Sequence, residues 1–274
     1  MLKERILTAL VLAPLAVAAV LLLSTKTLAT VAGVVFVVGV AEWGRLIGFA
    51  TPGSRLVYVT IVALTMGLVW QFRGEHALEF AAYAGAIWWI AAWAWLRNFE
   101  FASSSERRNV WLKGAAGLLA VVPAWAALIL IHHGRADAAD SGRWWLLYVF
   151  VLIWIADIGA YFAGRRFGTT KLAPRISPGK TYAGAYGGLG AALVLASVVG
   201  AWIESVPFLA LFGLSLVTVV FSIIGDLFES LIKRHSNTKD SGALLPGHGG
   251  IFDRFDSLFA ALPIFAAGQL LLSL

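Results

Sequence analysis

The chain has 274 residues, of which 60% are hydrophobic and 13% charged, with a net charge of +6 and a mean hydropathy of +0.83. Soluble domains carry about a quarter charged residues, so this balance excludes a soluble globular protein and points to an all-α, polytopic integral membrane protein. No cysteine is present, which excludes disulfides, thiolate metal sites and cysteine nucleophiles.

Lys3 to Arg5 precede a long apolar run that leads straight into further apolar segments, so the start reads as an uncleaved first span. Apolar runs of about 20 residues then predict nine transmembrane helices. They lie near 6–23, 28–44, 56–72, 77–96, 114–132, 144–163, 184–202, 207–225 and 257–273. No sheet signal and no internal repeat is apparent. The twelve tryptophans suit interfacial belts, with Trp88, Trp89, Trp93, Trp95, Trp144 and Trp145 near expected span ends.

With the N-terminus inside and the spans alternating, only Lys26, Arg73, Arg135 and Arg143 of the 21 Lys and Arg fall outside. This asymmetry predicts N-in, C-out, and it accounts for the positive charge without nucleic acid as a partner. The polar loops 164–183 and 226–256 then face the cytoplasm. The chain divides into an N-terminal transmembrane scaffold, 1–113, and a C-terminal catalytic region, 114–274. Within the scaffold, Glu42 lies close enough to Arg45 to pair with it at the inner interface.

Charge beside a membrane is expensive, and the densest charge here is GDLFESLIKRHSNTKDSGALLPGHGGIFDRFD, 225–256. Asp226, Glu229, Ser230, Lys233 and Arg234 fall at i, i+3, i+4, i+7 and i+8, one face of a helix continuing out of the eighth span. Pairs such as Glu229–Lys233 would satisfy a solvated helix end equally well. Beyond Lys239 and Asp240, the glycines around His248 (Gly247, Gly249 and Gly250) suit a phosphate nest, with His248 donating to phosphate or capping the turn. Asp253 and Asp256 follow on one helical turn. With Asp226 and Glu229 they offer hard oxygens for Mg²⁺; buried ion pairs such as Asp226–Arg254 or Arg234–Asp256 are the structural alternative.

A third patch, DIGAYFAGRRFGTTKLAPRISPGKT, runs from Asp157, an acid inside an apolar span, to Thr181. Arg165, Arg166, Lys171, Arg175 and Lys180 could anchor anionic lipid headgroups. Ser177, Lys180 and Thr181 add hydroxyls and an ammonium suited to phosphate capture. It is not a P-loop, since position 174 is proline.

Taken together, Ser230-x-x-Lys233-Arg234, Lys239-Asp240, His248-Gly249-Gly250 and Asp253-Arg254-x-Asp256 resemble the signature of the phosphatidate cytidylyltransferases (CDP-diacylglycerol synthases). The upstream patch and the multi-span architecture resemble that family too; one departure is Tyr182-Ala183, where many members carry Trp and an acid. The resemblance implies transfer of CMP from CTP to phosphatidic acid, giving CDP-diacylglycerol and pyrophosphate, in the inner (cytoplasmic) membrane. It implies Mg²⁺ on Asp226 and Asp253, backed by Asp256 and Glu229, with K⁺ as a companion ion and a possible homodimer. Lys233, Arg234 and Lys239 would hold triphosphate oxygens, aided by Asp240, Ser230 and Arg254. The His248-Gly249-Gly250 turn would cradle phosphate or cytidine, and Arg175, Ser177, Lys180 and Thr181 would receive the lipid phosphate or the α-phosphate.

A secondary transporter could also use intramembrane Asp157 and Asp226, but it predicts paired broken helices in related halves. A CDP-alcohol phosphotransferase would need an Asp-Gly-x-x-Ala-Arg pattern, which is absent.

Overall fold

The computed structural model describes residues 2–134, 141–203, 206–242 and 249–274. Among them are nine α-helices: α1 (Leu2–Leu22), α2 (Thr25–Leu46), α3 (Pro52–Gln71), α4 (Ala77–Leu96), α5 (Arg107–His133), α6 (Ser141–Phe167), α7 (Tyr182–Trp202), α8 (Phe208–His235) and α9 (Phe252–Leu272). Helices α2 to α9 are long and apolar enough to cross a membrane, and α1 carries an apolar stretch over Leu10–Leu22. The protein is an all-α polytopic membrane protein. Several helices outrun their apolar segments at the charged end: α8 continues to His235 and α6 to Phe167. A helix satisfies its own backbone, so extending it is the cheapest way to carry charged side chains out of lipid.

Local chemistry sets the helix starts. Ser24 Oγ accepts from Thr27 N (3.2 Å) at α2, and Thr51 Oγ1 accepts from Ser54 N (3.1 Å) at α3, where Pro52 opens the first turn. Thr181 caps α7 through Gly184 N (3.1 Å).

The expectation of no sheet requires correction. Strands β1 (Lys171–Ala173) and β2 (Ser177–Thr181) form an antiparallel hairpin between α6 and α7, pairing Lys171 with Thr181 and Ala173 with Ser177. Such a hairpin cannot span a bilayer, but beyond the spans it needs only an anchor. Ile176 at its turn is that anchor, buried against Leu227 and Leu231 of α8.

The bundle is built around α5 and α9, which pack on each other and on α4. At the crossing, Gly85 of α4 sits between Pro123 of α5 and Pro263 of α9, where a Cβ would come within 2.5 and 2.7 Å of the two prolines. Lipid offers helices no hydrophobic drive to associate, so small residues that permit close contact take its place. The α6–α7 pair follows the same rule: a Cβ on Gly187 would lie 2.2 Å from Ala163 Cβ.

Not all tryptophans are interfacial. Trp43, Trp89 and Trp125 are buried, their indole N–H groups donating to Lys113 O (2.9 Å), Phe259 O (2.8 Å) and Ala29 O (2.8 Å). An indole with a carbonyl partner is at home inside a bundle, a condition that depends on tertiary packing. Trp93, Trp144 and Trp202 stay exposed, as an interfacial belt requires.

Gly187→Ala is expected to cost about 1–3 kcal/mol by overpacking the α6–α7 contact. Gly190→Ala, on the same helix with nothing within 4 Å, should leave the detergent melting temperature unchanged or slightly raised; the pair of melting curves is the check.

Candidate active site

Charge is gathered at one end of the bundle by α8, the start of α9 and the hairpin. The polar face expected on 226–234 forms, and it turns inward. Lys233 Nζ donates to Glu229 Oε2 and to Asp253 Oδ1, each at 2.8 Å, and the three side chains are 12%, 2% and 5% exposed. The other Asp253 oxygen accepts from Gly250 N (2.8 Å) and Ser241 N (3.0 Å). A buried carboxylate is tolerated when its lone pairs are occupied, and here one ammonium and two amides occupy them.

A second group adjoins the first. Lys180 of β2 pairs with Asp226 of α8, and Asp157 of α6 and Asp256 of α9 are electrostatic neighbours of Asp226. This contact joins the two polar loops that the sequence places far apart. A cavity of about 400 Å³ opens beside it, lined by Asp157, Tyr161, Lys180, Thr181, Asp226 and Ser257 among others. Glu229 links the groups: Asp256 and Asp253 both lie beside it, and its Oε1 is buried without a hydrogen-bond partner. Close approach of α8 and α9 makes this possible, because a Cβ on Gly225 would fall 2.5 Å from Asp256 O.

The remaining predicted residues scatter around this centre. Thr181 is buried as the α7 cap, and Ser177 lies in β2, its backbone paired with Ala173. Arg175 pairs with Glu100 and lies over the Phe99 ring at 4.3 Å. Arg234 Nε donates to Ile176 O (3.1 Å), tying the hairpin to α8. Ser230 Oγ stands 3.4 Å from Asp226 Oδ1. Lys239, Asp240 and Arg254 are exposed. Gly249 has φ +82°, and a Cβ there would lie 2.7 Å from Asp253 Oδ2, so only glycine suits the position. The anion met by the Gly250 N–H is therefore the Asp253 carboxylate. His248 lies outside the described residues.

Neither structural alternative, Asp226–Arg254 or Arg234–Asp256, is formed; the pairs are Lys180–Asp226 and Lys233 with Glu229 and Asp253. Glu42 makes no ion pair with Arg45, which is exposed; it accepts from Phe252 N (2.9 Å). Sequence reasoning passed over Ser241 and Ser257, whose roles come from the backbone N–H of one and the position of the other beside the cavity. Among the described residues no group of three or more acidic or histidine side chains is placed to hold a metal ion.

The family model described as "Cytidylyltransferase family" matches residues 3–271. The chain belongs to the cytidylyltransferase family. It is thus an enzyme, a nucleotidyltransferase. It is 42% identical over 273 residues to the phosphatidate cytidylyltransferase of Pseudomonas aeruginosa, covering 97% of this chain and 96% of that protein. Identity to the phosphatidate cytidylyltransferase of Haemophilus influenzae is 35% over 282 residues, covering 97% and 98%. The Bacillus subtilis protein of that name is 47% identical over 138 residues, about half of each chain.

The two lysines of this cytidylyltransferase should behave differently. Lys233→Met strands two buried carboxylates and is expected to destabilise by about 3–5 kcal/mol. Lys180→Met breaks a pair that is 25% and 30% exposed, so its stability cost should be smaller than that of Lys233→Met while activity falls. Melting curves beside turnover assays separate the two.

Proposed function

We propose that the enzyme transfers CMP from CTP to phosphatidic acid at a Mg²⁺-dependent site on the cytoplasmic face of the inner membrane, for phospholipid synthesis. The carrying observation is the Lys180–Asp226 contact. It joins a basic hairpin to an acidic helix seam at a cavity beside the lipid-facing surface of α6 and α7. The names borne by the full-length relatives support the substrates, and the Lys and Arg asymmetry supports the cytoplasmic face. The resemblance alone carries a companion K⁺ and a homodimer.

An oxygen of the phosphatidate phosphate attacks the α-phosphorus of CTP. The new P–O bond forms as the bond to the bridging oxygen of the β-phosphate breaks, and the electron pair leaves with pyrophosphate. The nucleophile is already anionic, so no strong base is required. The obstacle is juxtaposing two polyanions and stabilising the leaving charge. Lys180 and Arg165, both at the cavity, meet the lipid phosphate as it arrives from between the spans; Tyr161, exposed on the same side and accepting from Arg165 Nη1 (2.9 Å), steadies that arginine. Lys239 and Arg254, exposed at either end of the 240–253 segment, hold the triphosphate. Lys233 acts from within, keeping Glu229 and Asp253 in place.

Asp226 and Asp256 fit Mg²⁺: they are hard oxygen donors on separate helices, adjacent to the unpartnered Glu229 Oε1, and the Lys180 ammonium marks a position that favours a cation. An open site of one or two carboxylates is what Mg²⁺ uses when water and phosphate complete its shell. Bound there, Mg²⁺ would supply charge neutralisation for the departing pyrophosphate. Asp253, already occupied by Lys233 and two amides, serves as organiser in this arrangement.

Purified protein in detergent should release pyrophosphate only when phosphatidic acid, CTP and Mg²⁺ are all present, and EDTA should stop it. Asp226→Asn should lower the rate at least ~100-fold, the loss expected for ~3 kcal/mol of charge stabilisation. An unimpaired variant would discard the metal assignment. Absence of lipid-dependent release by folded wild type would overturn the substrates.

A further inference from the structure

Helix α9 carries Asp253 but has no cap of its own, since Ile251 at its N-terminus offers no side-chain bond. The Phe252 N–H is instead taken by Glu42 Oε2 of α2, at 2.9 Å and from 210 residues away. Glu42 is 2% exposed, and the adjacent residue grips the same target. Trp43 stacks on the Phe252 ring with centroids 4.7 Å apart at 28°, and is itself fixed by its bond to Lys113 O (2.9 Å). The second carboxylate oxygen, Oε1, has no hydrogen-bond partner. It lies against Gly242, where a Cβ would come within 2.4 Å of it. A Cβ on Gly250 would fall 2.5 Å from Oε2 and 2.3 Å from Ser241 Oγ. One buried carboxylate thus touches Gly242, Gly250 and Phe252 together.

Burying a carboxylate without a cation is costly, and an apolar side chain would fill the same space without that cost. What the carboxylate adds is a charged acceptor for the first turn of α9 and a wall against the two glycines. From the neighbouring side Asp253 accepts from Ser241 N and Gly250 N. Between them the two carboxylates hold the N–H groups of Ser241, Gly250 and Phe252, the last two within three residues ahead of Asp253.

From this geometry we infer that Glu42 is a positioning residue for the nucleotide side of the site. It locks residues 241–242 and 249–252 in the register that presents Asp253 to Lys233 and Gly249 to its neighbours. This rests on the reading that Lys239 and Arg254 hold the triphosphate. The N-terminal half of the bundle, through α2, then contributes directly to substrate affinity.

The test compares wild type, Glu42→Ala and Glu42→Gln in detergent, measuring peptide hydrogen exchange together with KM for CTP and for phosphatidic acid. Loss of a hydrogen bond to a charged acceptor predicts exchange over 249–258 in Glu42→Ala at least about tenfold faster, with α5 unchanged. KM for CTP should rise by about tenfold or more and KM for phosphatidic acid stay within about twofold, the selectivity expected when only one substrate's contacts are loosened. Glu42→Gln keeps an acceptor oxygen and should remain within about threefold of wild type in both readouts.

Unchanged local exchange and unchanged KM for CTP in Glu42→Ala would overturn the inference. So would faster exchange across the whole bundle with both KM values intact, the signature of a scaffold residue. Should Glu42→Ala fail to fold, Gly242→Ala drives a methyl against Glu42 Oε1 and must raise KM for CTP; an unaltered value overturns the inference. If wild type shows no turnover with CTP and phosphatidic acid, the substrate reading fails by itself, and the exchange comparison still decides whether Glu42 fixes this segment.

Discussion

The ammonium of Lys233, held between Glu229 and Asp253 across the seam of α8 and α9, lets two carboxylates sit at bundle depth where neither would be tolerated alone. From this contact the rest of the charged end is assembled. Asp253, anchored by Lys233, collects the N–H groups of Ser241 and Gly250 and so fixes two stretches of chain, 241–242 and 249–252. Glu229, anchored in the same way, keeps a spare oxygen beside Asp256. The seam itself closes only because Gly225 permits α9 to approach. Without that closeness the carboxylates of α8 and α9 would not share one centre.

The hairpin shows how a site can be split between a rigid and an attached part. Ile176 is buried against α8, Arg234 holds the carbonyl of the same residue, and Lys180 reaches Asp226. Three contacts of different kinds, apolar, hydrogen-bonded and ionic, secure one short ribbon to one helix face. The cavity beside it borders the tight α6–α7 pair, which carries the exposed aromatic residues Tyr161, Phe162, Tyr182 and Tyr186.

Much of this was legible in the residues. Hydropathy located the spans because lipid forbids any unpaired backbone that is not helical or closed into a barrel. The i, i+3, i+4, i+7 spacing of Asp226, Glu229, Ser230 and Lys233 placed them on one face, and the structure keeps them there. Spacing predicts the Glu229–Lys233 pair at i, i+4, and that pair forms. It does not predict that Asp253 of α9 joins Lys233 or that Lys180 of the hairpin takes Asp226, since both contacts depend on how the elements dock. Thr181 reads as a phosphate ligand because a hydroxyl beside a lysine and glycine suggests one; that the same hydroxyl caps α7 while the residue lines the cavity is visible only in the fold. Glu42 was within sight of Arg45 in the sequence, but its partner is a backbone amide 210 residues on. Interior tryptophans were missed for the same reason, since the carbonyls that accept from them belong to other helices.

Because α9 lies at the middle of the bundle, the order of synthesis matters. Glu42 waits for Phe252, and the indole of Trp89 waits for the carbonyl of Phe259, 170 residues later. Every helix from α1 to α8 leaves the ribosome before these partners exist. The half-made protein therefore holds a carboxylate and an indole without these partners, and Gly85 can meet Pro123 but not yet Pro263. Pairs such as α4–α5 and α6–α7 need no part of α9, whereas the centre of the bundle closes only once α9 has been made. A chain that stops short of α9 lacks the partners of Glu42 and Trp89 and one of the two carboxylates that hold Lys233, so the placement of one helix makes the centre of the bundle its last part to close.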